Sequence, residues 1–173
     1  LVIGKTTQGA FSTLQSVMNG FPNDKLQITP VWAISTGGVS YSAGSSTACT
    51  VDIFGQITMT HTNGDNSGTC SITVTSAADT NYQQATSTVT VNPNSRLTVT
   101  ASSHNVDAGD PVPTISPIDS ISGVTRTGET CSTTYTTLSS AGSYPTTCSG
   151  GTATGWSITY IAGSVTAATP PTT

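Results

Sequence analysis

The residues best equipped for chemistry are few and scattered. His61 and His104 are the only imidazoles, and both stand in polar sequence beside turns, which reads as solvent-facing. No GxSxG, HExxH or HxH pattern accompanies either of them. Catalytic groups need close neighbours that push their proton affinities, but here eight acidic and four basic residues are spread over turns. The chain therefore reads as non-enzymatic and without a cofactor. Asp107 and Asp110, with Asp119 and Asp79, are weak candidates for Ca²⁺, which takes several oxygen ligands. Asp110-Pro111 is equally a simple turn starter, and Asp107 a loop-solvating residue.

The remaining reactive side chains are Cys49, Cys70, Cys131 and Cys148. None forms a CxxC pair, so the spacing does not suit zinc. Three disulfide pairings are possible. Cys49–Cys70 with Cys131–Cys148 is the natural one, because each bridge then falls inside one repeat of the sequence; four reduced, buried thiols are the alternative. Each such bridge closes a loop of about 20 residues, worth roughly 3 kcal/mol in the chain-entropy model. An even cysteine count in a Thr/Ser-rich chain points to an oxidising, extracellular compartment.

What surrounds these residues is unusual. Only 7% of the 173 residues are charged, against roughly 25% in an average globular domain. Net charge is −4, and the only cations are Lys5, Lys25, Arg96 and Arg126. A nucleic-acid groove needs clustered cations, so nucleic acid is excluded as a partner, as is a polybasic membrane patch. No apolar run reaches the roughly 18 residues of a membrane span, so no membrane insertion is expected. The chain opens on Leu1 with no signal-peptide h-region, as expected of a mature form or a fragment.

The elements that must position these side chains are mostly strands. Residues 1–30 are the exception and read as an irregular attachment segment. Within it Phe11, Leu14, Val17 and Met18 form a rough helical stripe, ended by Asn19-Gly20 and Pro22; one short helix and an irregular strand are both compatible. With Phe21, these residues carry more apolar surface than a free tail tolerates, so they are the expected interaction residues.

From residue 31 the period is two. Cys49, Val51 and Ile53 alternate with polar residues, as do Ile57 and Met59, then Cys70, Ile72 and Val74, then Val89 and Val91. Asn63-Gly64 is a strong turn signal. Each strand has an apolar and a hydroxyl face, as in antiparallel sheets with one side in water. Pro93 and its flanking Asn residues mark a boundary. A first module is thus expected over 31–93, a second over 96–168 and a linker over 169–173. In the second, Leu97, Val99, Tyr135, Trp156, Ile158 and Val165 are the expected core. The halves echo each other: "TCSITVT" (69–75) and "TCSTTYT" (130–136) share T-C-S-x-T-x-T. The fold class is all-β, two tandem immunoglobulin-like β-sandwiches.

The stretch "ACTVDIFGQITMTHTNGDNSGTCSITVTSAADTNYQQATSTVTV" resembles bacterial Ig-like repeats. "LTVTASSHNVDAGDPVPTISP", "GSYPTTCSG" and "WSITYIAGSVTA" resemble the bacterial MBG-type Ig-like repeat. Together the two resemblances cover about residues 31–168. The usual Tyr before "GDPVP" is Asp107 two positions earlier in "VDAGDPVP", and residues 1–30 match neither pattern.

The resemblance implies tandem arrays in large bacterial surface proteins or phage virions, acting as spacers, fibres, decorations or adhesive stalks. Their partners would be protein neighbours in that assembly, with glycan as a second class. The rival function is a carbohydrate-binding module. That requires two or three coplanar exposed rings, for which Trp32 and Trp156 are the candidates, although Trp156 is in phase with Ile158 and so points to the core. The TxT runs also suggest flat Thr arrays of the kind that bind ice or polysaccharide, set against an ordinary solvated sheet face.

Overall fold

The structure, a computed structural model, describes residues 4–7, 17–29 and 35–170. It divides into two compact units, Leu1–Ser95 and Arg96–Thr173. Among the described residues all regular structure is β-strand.

The first unit holds β1 (Val17–Gly20), β2 (Lys25–Gln27), β3 (Val39–Ser42), β4 (Cys49–Val51), β5 (Gln56–Met59), β6 (Ser71–Ser76) and β7 (Ala85–Pro93). They form two sheets, β1-β7-β6-β3 and β2-β5-β4. Lettered in chain order, the second sheet is B-E-D and the first is C-F-G with the opening strand laid beside G, the connectivity of an immunoglobulin domain. The β1–β7 pair is parallel, whereas β2–β5, β4–β5, β3–β6 and β6–β7 are antiparallel. Alternation drives the packing: Ile57 and Met59 from one sheet meet Ile72, Val74, Val89 and Val91 from the other in a single buried core, as period-two strands require.

Two features depart from the sequence expectation. The segment 1–30 is not an irregular attachment arm where it is described, because β1 and β2 each join a sheet of the sandwich. Val17 is 56% exposed, whereas Met18 packs on the core, which is strand alternation rather than a helical stripe. Gly20 is not a helix stop but a close-packing position: a Cβ there would stand 2.7 Å from Met59 Cγ and Sδ. Phe11 and Leu14 lie outside the described residues. The second departure is Ile53, expected in the core but 81% exposed. The strand ends at Val51, because the Asp52 carboxylate accepts hydrogen bonds from the Phe54 and Gln56 amides. Gly55 then turns the chain at φ +80°, packed so tightly on Tyr41 that a Cβ would meet its ring at 2.7 Å.

The second unit carries β8 (Ser95–Ala101), β9 (His104–Asp107), β10 (Pro117–Asp119), β11 (Thr130–Thr133), β12 (Gly142–Ser149), β13 (Trp156–Ile161) and β14 (Gly163–Ala168). Its sheets are β10-β8-β13 and β11-β12-β14-β9. Again four strands face three, and again the four-stranded sheet closes on a parallel pair, β14–β9. The order differs: β13 of the smaller sheet interrupts β12 and β14, and β8 lies at the centre. Leu97, Val99 and Ala101 form one buried cluster with Cys148, and Tyr135, Val165 and Ala167 another. Trp156 and Ile158 are only half-buried, packed against the first cluster from edge strand β13.

Candidate functional site

Four cysteines form two bridges. Cys49 on β4 and Cys70, just before β6, join the two sheets of the first unit, with Cα atoms 5.5 Å apart. Cys131 and Cys148 face each other across β11 and β12, with Cα atoms 4.0 Å apart, so this bridge ties neighbours within one sheet. Both cystines fit an oxidising, extracellular setting.

The histidines are apart in sequence and in role. His61 is buried rather than solvent-facing, with 9% exposure. It continues the inward series Ile57, Met59, His61, and its Nε2 lies 3.0 Å from the Asn94 carbonyl. That contact requires Nε2 to donate, which fixes the neutral ring in one tautomer. His104 on β9 is 2.9 Å from the Ser102 hydroxyl through Nε2. The Ser67 hydroxyl and amide hold the nearby Asp65 carboxyl below its ordinary value, with a smaller contribution from His61.

Asp79 and the Asp107–Asp110 turn are engaged separately. Asp79 accepts from the amides of Thr36, Asn81 and Tyr82, at 2.8 Å each, which holds its carboxyl well below the ordinary range. Asp110 accepts from the Asp107 amide at 2.9 Å, and the Tyr135 hydroxyl lies 3.1 and 3.0 Å from the carbonyls of Asp107 and Asp110. These contacts tie the turn after β9 to a buried tyrosine. An open groove of about 380 Å³ runs beside it, lined by Asn105, Val106, Asp107, Asp110, Thr166 and Ala168. Among the described residues no three His, Cys, Asp or Glu side chains converge as a metal site would need.

The densest charged cluster was not legible as a group in the sequence. Arg126 bridges Asp119 at 2.6 Å and Glu129 at 2.9 Å, with side-chain exposures of 8%, 20% and 11%. The two carboxylates hold the guanidinium firmly in its charged form and raise its proton affinity above its already high value. Tyr160 closes the same corner by accepting the Gly151 amide at 2.8 Å. A largely buried guanidinium clamped between two carboxylates is a structural ion-pair cluster.

Two surfaces remain. The first is apolar and small and is confined to the first unit: Ile53 and Phe54 at the β4–β5 turn, 81% and 74% exposed; in the second unit Leu138 in the β11–β12 loop is separately exposed. Phe54 is the one strongly exposed aromatic among the described residues, and Trp156 is half-buried, so no described pair of rings makes a stacking platform. Trp32 lies outside the described residues.

The second surface is the outer face of each four-stranded sheet. In the first unit Thr88, Thr73 and Ser42 stand in one cross-strand row, Thr86, Thr75 and Ser40 in the next, and Thr90 with Ser71 in a third. The strands β1, β3, β6 and β7 contain no charged residue. In the second unit Thr147 pairs with Ser132, and Thr166 lies between Ser143 and Asn105; Asp107 is the only carboxylate in that sheet.

No protein-family model matches the chain, and no curated protein matches it. Among solved structures it is similar to Drosophila N-cadherin EC1-4, at 14% identity over 95% of this chain and 50% of that one, with a TM-score of 0.40. The N-terminal four Ig domains of Dscam1 isoform 4.44 give 9% identity over 98% and 48%, with a TM-score of 0.38. Human protocadherin-24 EC1-2 gives 12% over 90% and 95%, at 0.32. The chain spans about half the length of the first two. The immunoglobulin-like assignment rests on strand order and register rather than on these likenesses.

Proposed function

We propose that this chain is a load-bearing, non-enzymatic spacer or attachment element of a bacterial surface protein or a phage virion, with protein neighbours in that assembly as its partners. One observation carries the mechanical part. In the first unit β1 lies parallel to the last strand, β7; the second unit has a parallel pair too, β9 with β14, but its chain enters through β8 of the other sheet. Pulling such a pair from opposite ends loads the whole ladder in shear, so its hydrogen bonds must fail together. An antiparallel terminal pair would unzip one bond at a time. The bacterial or phage setting is supported by the sequence resemblance.

Pulling the full chain by its ends in a single-molecule instrument tests this. Two unfolding events are expected, that of the first unit at high force, with the residues inside each disulfide loop contributing no length until reduction. Met18→Pro, which removes an amide donor from β1, should lower the force of one event and leave the other unchanged. Low-force unzipping of the first unit would overturn the reading. So would turnover of a glycan or peptide that is abolished by changing His61 or His104.

A further inference from the structure

The two cystines sit in unlike places. Cys49 and Cys70 are 3% and 2% exposed and belong to the buried core of the first unit, where their bridge joins one sheet to the other. β4 is an edge strand, but Cys49 is sealed inside the sandwich, so a reductant reaches its sulfur only when the sandwich opens. Cys131 and Cys148 are direct neighbours in one sheet. Cys148 is buried, but Cys131 is half-buried on β11, a four-residue strand at the edge of the β11-β12-β14-β9 sheet. A small fraying of β11 admits a thiol to this bridge while the other three strands stay paired. Local openings of that kind cost less than global unfolding. Two contacts flank β11 and do not depend on the bridge. Glu129 binds Arg126 at 2.9 Å just before it, and the buried Tyr135 donates to the Asp107 and Asp110 carbonyls just after it.

We infer that Cys131–Cys148 is a redox-sensitive lock, opened in the folded chain by a dithiol reductant while Cys49–Cys70 stays closed. One thiolate of the reductant attacks Sγ of Cys131, the more accessible partner. The S–S bond breaks, and Cys148 leaves as a thiolate that takes up a proton. The reductant's second thiolate then attacks the mixed disulfide, which frees Cys131 and leaves the reductant as its own disulfide. The electron pair thus passes from the dithiol to the cystine. Exposed bridges are the labile ones, whereas structural bridges resist reduction. The Arg126–Glu129 pair and Tyr135 still hold both ends of β11, so the reduced second unit keeps its fold and an oxidant closes the bridge again. Reduction also lets the stretch between the two cysteines extend under load; that consequence rests on the load-bearing reading, but the order of reduction does not.

The test incubates the folded full chain with dithiothreitol, traps free thiols with iodoacetamide at intervals and maps them by peptide mass spectrometry. Cys131 and Cys148 should be alkylated at least about tenfold faster than Cys49 and Cys70, as expected when one bridge needs only a local opening. Amide protection of Leu97 and Val99, in the core of the second unit, should persist in the chain so reduced. The measurement uses the unaltered chain, so no variant has to fold. Equal rates for the two bridges would overturn the proposal, because both would then wait on the same unfolding. So would faster reduction of Cys49–Cys70, or no reduction of either bridge in the folded chain. Loss of Leu97 and Val99 protection once Cys131–Cys148 opens would also overturn it, because the bridge would then be a staple for the fold and not a lock within it.

Discussion

At the scale of single residues, a carboxylate here is worth what its neighbours make of it. Asp79 and Asp119 are one residue type with two kinds of partner. Asp119 shares the Arg126 guanidinium with Glu129 at 8% exposure of the arginine side chain. Arg126→Met would leave two largely buried carboxylates unpaired, and breaking a buried pair on one side is strongly unfavourable. Since Asp119 keeps some contact with water, a loss of about 2–3 kcal/mol from the second unit is expected, read as a lower urea midpoint. Asp79 instead binds three backbone amides. Its carboxyl titrates well below the ordinary value of 3.8, so it stabilises the folded state fully above that value. The contribution fades as pH falls through the depressed folded value. The margin of the native chain over Asp79→Asn should be constant near neutrality and shrink only in strong acid, as followed by acid unfolding. Neither role was legible in the sequence. The partners of Asp79 are amides, which carry no sequence signature, and Arg126 meets Asp119 only after the loop between them has folded.

At the scale of elements, alternation placed most of the core and failed where a local hydrogen bond interrupted it. Ile57, Ile72, Val74 and Val89 are each at most 1% exposed, on strands whose period of two is unbroken. Ile53 has the same phase as Val51, but Asp52 competes for the amides that would have extended β4, as Asp commonly does in turns. His61 shows the converse error: its polarity suggested a surface, while its phase with Ile57 and Met59 takes it inside. The helical stripe failed for a related reason, since Val17 and Met18 fit either period and only pairing with Thr90 and Val91 decides. A matched pair of variants tests this register. Ile57→Ala should cost about 3–4 kcal/mol through lost burial and a cavity. Ile53→Ser should change stability by less than about 0.5 kcal/mol, as exposed substitutions do. Comparable losses in urea unfolding would place the Asp52 turn wrongly.

At the scale of the whole molecule, two cores and two internal disulfides make two folding units, and the weak point of the first is its opening strand. Composition and the cysteine-containing repeat pointed to tandem sandwiches. They could not reveal that the second unit has its own strand order, because both orders bury the same alternating pattern. Nor did they show that residues 17–27 belong to the first sandwich, since short edge strands carry little periodicity. Removing residues 1–24 deletes β1, uncovers the edge of β7 and takes Met18 off the core. One partly buried Met and a short ladder together amount to about 3–5 kcal/mol, a large share of the stability of a domain this size. The effect should fall on the first unit alone. Ile72 and Val74 lie in the core of the first unit and Trp156 in the second, so amide protection of Ile72 and Val74 follows the first unit, and tryptophan emission in a Trp32→Phe background follows the second. In urea, protection of Ile72 and Val74 in the truncated chain should be lost at lower denaturant, while the Trp156 transition keeps its midpoint and slope. Displacement of both together would show that the units unfold as one body, and unmoved protection of Ile72 and Val74 would show that β1 contributes nothing to the sandwich.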